Sequence, residues 1–453
     1  MQNAAFSKSS LKSDLIGVIR FCRTLERSID SKSSSKESKL AGINLFQTSS
    51  FRLNVSEDKN ALIGLSMIKS AIRRSRITPT AAIPWGTSDA IIISSSSCDH
   101  NNVQKYIGNM ASRADLTYAI KDQLSFKGEF SLMEWAYWLV FAITQTIRSA
   151  FSKQRRNIAL TVIEVLEVAV LLKKIKQHRI VRIYDFVPFE VDSNFLYLCT
   201  RSYDVHTTKV PSPGPLSAHN AIVLSDALVL SSGYHFDELP LLAENFIVTE
   251  FLTWPPERAH TYYDLYTRGG LNIGKQKLGF YSHGEWVRKK LGLVKKASTV
   301  AEAEEQTLRM LGRFLNENPE YSLVIYPHPK ERKNVSADDL IAYYTDIIGS
   351  SAFTIAAADK GTTFRFHETD IAVTCYSTII FERLYCGFKT IIKRIPEHAF
   401  PKSNSPLTAI CFETYDELAA LIGASARMSS TAFFEQHHLT KYLHNHFPNP
   451  LQS

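Results

Sequence analysis

The residues of this chain best suited to chemistry are histidines and hydroxyls placed where strands should end. Tyr321 to Lys333 reads YSLVIYPHPKERK, an apolar run that closes on His328, with Pro327 and Pro329 restricting the backbone on both sides. An imidazole held in one direction and able to carry a proton suits a phosphate group. Residues 374–387, TCYSTIIFERLYCG, read as the end of a strand followed by a helix that Ser377 and Thr378 open. A hydroxyl there ordinarily caps the helix. The same placement turns free N–H groups and the positive end of the helix dipole toward an anion, so cap and phosphate ligand are compatible roles. A third stretch, FYSHGEW at Phe280 to Trp286, sets Ser282 and His283 on a glycine turn where the backbone can approach a donor or acceptor. Its alternative reading is a turn whose Trp286 packs into the core.

Candidates for a general base lie upstream. YDFVPFEVDSNF follows a strand and offers Asp185, Glu190 and Asp192, of which Glu190 and Asp192 are the better placed, although Asp192 could equally cap the next helix. PSPGPLSAHN is a rigid loop after the next strand and delivers His219. SSGYHFDE follows a third and delivers His235, Asp237 and Glu238. A surface or capping role is open for each of them.

Alternating elements must hold these groups in place. NIALTVIEVLEVAVLLKKIKQH has helical apolar spacing, and RIVRIYDF after it is a buried strand of β-branched residues. VHTTKV, ALVLSS and NFIVTEFL read as further strands. A second series begins near Lys277, with KLGFYS, SLVIYP, FTIAAA, DIAVTCY, KTIIKRI and AICFE as strands between helical segments. Such alternation implies mostly parallel sheets covered on both faces, with ligands at the carboxyl ends of the strands. RGGLNIGK near residues 268–276 supplies glycines for a hinge between two doubly wound units and sets the ligand in a cleft between them. Between residues 41 and about 150 a helix and a strand are legible, but no topology.

An HP pair after one strand and Ser-Thr opening a helix after a later strand, in the second half of a two-lobed α/β chain, resembles the HP and S-S/T motifs of bacterial sialyltransferases and polysialyltransferases of the GT-B fold. The resemblance covers roughly residues 278–425. It implies two Rossmann-type domains facing a cleft: residues 41–270 as an acceptor-side domain and 271–430 as a nucleotide-sugar-binding domain. A mobile or weakly packed leader, 1–40, and a tail or returning helix, 431–453, complete the plan. The resemblance further implies that His328, Ser377 and Thr378 hold the phosphate of a CMP-activated donor; Pro329, and Ser282 and His283 on their glycine turn, are further donor-side candidates by their own placement. A nonulosonic, sialic-acid-like sugar would pass with inversion to a glycan acceptor in polysaccharide biosynthesis, without metal or other cofactor. Glu190, Asp192 and His219 join His328 as catalytic candidates. The families' acidic tripeptide ending in glycine is absent here; the pairs Asp237-Glu238 and Asp338-Asp339 both precede Leu. CDP-glycerol glycerophosphotransferases carry a similar Pro-His-Pro and imply a phosphotransferase alternative with His219 or His235 as base. A glycan-binding scaffold without catalysis is a third reading.

Bulk properties bound these readings. The 453 residues exceed one ordinary core, and 45% hydrophobic with 21% charged residues is a globular composition. A net charge of +8 favours anionic partners. Zinc-finger spacing, an RNP motif and a continuous basic helix are missing, so nucleic acid is not expected. Six scattered cysteines without a CxxC pair, and no secretory leader pattern, suit a cytoplasmic location. GxGxxG, P-loop, DxD, HExxH and GxSxG patterns are absent, which speaks against dehydrogenase, NTPase and serine-hydrolase chemistry. LMEWAYWLVFAITQTIRSAF, Leu132 to Phe151, has the length of a bilayer span but carries Glu134, Gln145 and Arg148; it reads as a buried helix, with contact at the inner face of a membrane as the alternative.

Overall fold

The computed structural model describes residues 15–46, 60–76, 89–94, 117–120, 124–151, 158, 160–186, 193–211, 222–230, 233–253, 275–291, 299–349, 352–358, 362–395, 400–401 and 403–443. Glu190, Asp192, His219 and the glycine-rich stretch near 268–274 lie outside them. The chain divides into two compact units. Unit 1 takes residues 1–212, 219–231 and 239–255; unit 2 takes 213–218, 232–238 and 256–453.

Unit 1 is built on a parallel sheet in the order β2-β1-β3-β4-β5-β6, with β1 Ala90–Ser94, β2 Thr117–Ile120, β3 Arg182–Asp185, β4 His206–Lys209, β5 Val223–Leu230 and β6 Phe246–Thr253. Every residue of β1 is buried, as expected of a strand covered on both faces. Its helices are α1 Leu15–Ser28, α2 Lys36–Phe46, α3 Asn60–Arg76, α4 Leu132–Phe151, α5 Thr161–Gln177 and α6 Ser193–Thr200. Helix α5 is apolar around most of its circumference and is accordingly buried along most of its length.

The leader expected to be loosely packed is part of this core from Leu15 on. Leu15, Val18, Ile19, Cys22 and Leu25 recur at helical spacing and are fully buried among residues of α2, α4 and α5. The serine- and lysine-rich text around this helix reads as a leader, but the amphipathic segment Leu15 to Ile29, legible in the sequence, lays its apolar face into the core.

Unit 2 has six parallel strands in the order β12-β11-β10-β7-β8-β9: β7 Lys277–Tyr281, β8 Ser322–Tyr326, β9 Phe353–Ile355, β10 Ile371–Thr374, β11 Lys389–Lys393 and β12 Cys411–Phe412. Helix α7, Gly233–Leu242, is shared between the units, its first residues belonging to unit 2. The remaining helices are α8 Glu285–Lys290, α9 Thr299–Glu317, α10 Pro329–Asn334, α11 Ala337–Ile348, α12 Ile379–Tyr385, α13 Tyr415–Ala426 and α14 Ser430–Gln436. The returning segment near the C-terminus packs here: Tyr442 joins Tyr234, Phe381 and Phe400 in one apolar cluster. Read outward from β7, the order runs through β8 and β9 on one side and β10 to β12 on the other, so the winding reverses between β7 and β10. That is the doubly wound arrangement, with its ligand crevice expected beyond the carboxyl ends of β7 and β10. The chain is thus α/β with two Rossmann-type sheets.

Candidate functional site

Register delivers the site of unit 2. Tyr281 at the end of β7 pairs with Tyr326 of β8 on one side and Thr374 of β10 on the other. Two residues beyond each of these stand His283, His328 and Tyr376. The rings meet accordingly: His283 lies 6.3 Å from His328 and 6.3 Å from Tyr376 between centroids. Beneath them Tyr281 and Tyr326 stack at 4.4 Å, a rigid floor. The two histidines that the sequence offered separately form one pair at the switch point of the sheet.

Each loop is locked by its own device. His328 is not simply a strand-terminal residue between prolines. It caps α10, a short charged helix without apolar periodicity, and Pro329 occupies its first position, where a missing N–H costs nothing. His328 Nδ1 accepts the Lys330 N–H at 3.1 Å, and the Glu331 carboxylate accepts the His328 N–H, completing a capping box. With Nδ1 accepting, Nε2 carries the proton and is the atom left to meet a ligand. Gly284 follows His283 at φ 71°, and a Cβ there would come 2.9 Å from His328 Cβ. Only glycine meets both demands, and its bare Cα lets the two loops touch.

Two buried glutamates hold the histidine backbones from below. Glu331 takes the Trp286 indole N–H and the Tyr344 hydroxyl, the latter at 2.9 Å, besides the His328 N–H. Glu304 of α9 accepts the His283 N–H, and its other oxygen has no hydrogen-bond partner. Burial, with the Glu331 carboxyl nearby, pushes the Glu304 pKa up to about 8, so it is protonated at neutral pH. The unfolded chain ionises this group at its ordinary 4.5, while the fold keeps it neutral until about 8. Stability is therefore expected to decline as pH rises from 4.5 to about 8. Denaturant titrations across that window should show this decline in the parent and its loss in Glu304→Gln, and equal slopes in the two proteins would refute it.

The electrostatics favour an anion. Burial, then the positive fields of His283, Arg288 and Lys330, lower the His328 pKa to about 4. The imidazole is therefore neutral at pH 7, and it would meet a phosphate as an Nε2–H donor rather than as a cation itself. Arg288 pairs with Glu285 yet leaves its Nε buried without a partner. An anion beside these groups would raise the His328 pKa again and satisfy part of that field.

The remaining sequence candidates separate. Ser282 is buried, and its hydroxyl accepts the Gly284 N–H at 3.0 Å, inside the turn. Ser377 directly follows Tyr376 and its hydroxyl accepts the Ile379 N–H at 3.3 Å, while the Ile380 N–H is taken by the Ser377 carbonyl. The first turn of α12 thus offers an anion fewer free donors than expected. Thr378 is the cap residue by position, but its hydroxyl makes no capping bond. In unit 1, Asp185 ends β3 and accepts from Ser193 Oγ at 2.5 Å while 2% exposed. His235 and Glu238 are fully buried in α7, and Asp237 is held by Lys441 at 2.5 Å and Tyr442 at 2.9 Å. These contacts explain α7 as a packing element; the base expected from it is not exposed there. Among the described residues, no group of three or more His, Cys, Asp or Glu is arranged to hold a metal ion.

Arg288, Glu304 and Glu331 did not stand out in the sequence. The signal lay in a repeated Tyr-X-His, Tyr281-Ser-His283 and Tyr326-Pro-His328, that places both histidines at the same height on adjacent strands.

Neither a protein-family model nor a curated protein matches the chain. Among solved structures it is similar to an O-GlcNAc transferase mutant of Thermobaculum terrenum, with 12% identity and a TM-score of 0.37 over 96% of this chain and 81% of that one. It is also similar to MurG of Acinetobacter baumannii, with 11% identity and a TM-score of 0.43 over 80% and 96% of the two chains. A UDP-GlcNAc 2-epimerase of Neisseria meningitidis bound to UDP-GlcNAc gives 9% identity and a TM-score of 0.42 over 74% and 90%. Likenesses this distant fix no substrate.

Proposed function

We propose that the chain is a GT-B glycosyltransferase in which the switch point of unit 2 binds the phosphate of a nucleotide-activated sugar. The observation that carries this reading is the register-aligned pair His283 and His328 in the positive field of Arg288 and Lys330. In this reading the His328 Nε2–H and the neighbouring cations stabilise charge as it develops on the leaving phosphate. Ser377 and Thr378, which follow Tyr376 at the start of α12, are the further residues assigned to that phosphate in this reading. The donor is a CMP-activated nonulosonic sugar, transferred with inversion and without metal to a glycan acceptor. The acceptor proton goes to a base in residues 41–270, for which Glu190, Asp192 and His219 are the candidates.

Thermal unfolding with CMP, UDP, CDP-glycerol and inorganic phosphate tests the donor. Binding at a hundredfold excess over Kd stabilises the fold by about 2.7 kcal/mol, so CMP should raise the melting temperature by several degrees, and the His328→Asn protein should show a much smaller shift. A larger shift with UDP would replace the CMP donor, and one with CDP-glycerol would favour the phosphotransferase reading. No shift with any of them, together with no hydrolysis or transfer across a panel of CMP-sugars, would refute the proposal. Transfer is expected to survive EDTA.

A further inference from the structure

Unit 1 carries a surface feature that nucleotide binding does not use. Helix α4 buries one face, with Trp138, Phe141 and Ala142 in the core and the Trp138 indole N–H donating to the Val162 carbonyl at 2.7 Å. Its other face is apolar and open to solvent along the whole length: Met133, Leu139, Val140, Ile143, Ile147 and Phe151, with Val140 63% and Phe151 86% exposed. A helix of 20 residues is about 30 Å long, so this is a long stripe for a soluble surface.

Cations stand at both ends of the stripe. Helix α1 runs parallel to α4, since the Leu15 N–H bonds Glu134 at 3.2 Å and Glu26 pairs with Arg148 at 2.6 Å. It brings exposed Arg27 to the C-terminal end of α4. Helix α3 runs antiparallel, with Gly64 against Thr146 and the Phe126 N–H on the Arg74 carbonyl at 3.2 Å. Its exposed Arg73 and Arg76 therefore flank the opposite end, with Lys69 between, and α3 contains no acid. Near the C-terminal end, α1 and α4 enclose a cavity of about 430 Å³ in which Arg23, Arg27 and Arg148 outnumber Glu26 and Asp30.

We infer that this face seats unit 1 on an anionic lipid surface, with α4 lying in the plane of the headgroups. Its buried face ties it to the protein core, and no described helix is long and apolar enough to cross a membrane. Cations at both ends favour lipid over a second copy of the chain. A two-fold interface through this stripe would set cation against cation whichever way the two helices ran. Anionic headgroups would match both ends at once. The inference rests on unit 1 alone and is independent of what unit 2 binds.

The test uses the full chain and vesicles of phosphatidylcholine alone or with about one third phosphatidylglycerol. The protein should sediment with the anionic vesicles and be released by salt. The double variant Ile143→Glu, Ile147→Glu should lower partitioning at least about tenfold, and Lys69→Glu, Arg73→Glu should do the same. Both pairs are exposed, so the melting temperature should hold. No sedimentation with anionic vesicles would overturn the inference, as would binding that ignores both variants. A dimer in light scattering that the isoleucine variant dissociates, without vesicle binding, would assign the stripe to a second copy instead.

Discussion

On the proposed function, replacing His328 by Asn should lower kcat/KM for sugar transfer by roughly 10² to 10⁴, the range for a lost donor to a developing charge, and leave the melting temperature nearly unchanged. Asn is the informative substitution because His328 has two jobs. As the cap of α10 it accepts the Lys330 N–H, and an Asn carboxamide oxygen can do the same. It cannot supply the Nε2–H. Ala removes both functions and should cost about 1 kcal/mol of stability in addition to activity. The pH dependence separates the roles further. Free His328 titrates near 4, below its ordinary 6.5, so this group's contribution to stability is present above 6.5 and lost as pH falls toward 4. A bound phosphate raises that pKa and takes up protons, so nucleotide affinity should strengthen on acidification in the parent and lose that trend in His328→Asn. If His328→Asn turns over like the parent while His328→Ala is merely less stable, the histidine is only a cap and the phosphate site is elsewhere.

The α/β alternation was legible because parallel strands buried on both faces are written as short runs dominated by apolar residues, aliphatic, aromatic or β-branched. KLGFY, SLVIY, IAVT and KTIIK all lie within segments read as strands. Their lateral order was not legible, because no local period records which strand lies beside which. The pairing of β7 with both β8 and β10 is what turns three separate loops into one site. The buried acids were hidden for a different reason. A glutamate in a helix reads as solvent-facing, yet Glu304 stands four residues from both Val300 and Leu308, in the buried stripe of α9. An acid in step with an apolar stripe was the available signal. Helix α10 escaped because PKERKN has no apolar period and is set by its cap box rather than by burial. The hydroxyls of Ser377 and Thr378 were placed correctly at a helix start, but sequence could not tell that Ser377 would spend its oxygen on Ile379.

Glu331 should be the costliest single change in the site. Its carboxyl is fully buried, and burial raises its pKa against the pull of the donors around it, those of Trp286, Tyr344, His328 and Ser282. Glu331→Ala leaves the Trp286 N–H, the Tyr344 hydroxyl and the His328 N–H without an acceptor. Even with partial relaxation, orphaned buried donors at 1–3 kcal/mol each put the loss at about 3 kcal/mol or more. For a unit of this size that is a fall of roughly 6–12 °C in melting temperature. Glu331→Gln divides the effect. An amide oxygen in the place of Oε1 keeps Trp286 and Tyr344, whereas the amide nitrogen then faces the His328 N–H, donor against donor. The Gln protein should therefore lose about 1 kcal/mol of stability while losing nucleotide affinity out of proportion, because the loop that aims His328 is released although the core beneath it survives. A Glu331→Ala protein that melts with the parent would show that the carboxylate is not the clamp. A Gln protein with parental nucleotide affinity would show that the clamp does not aim the histidine.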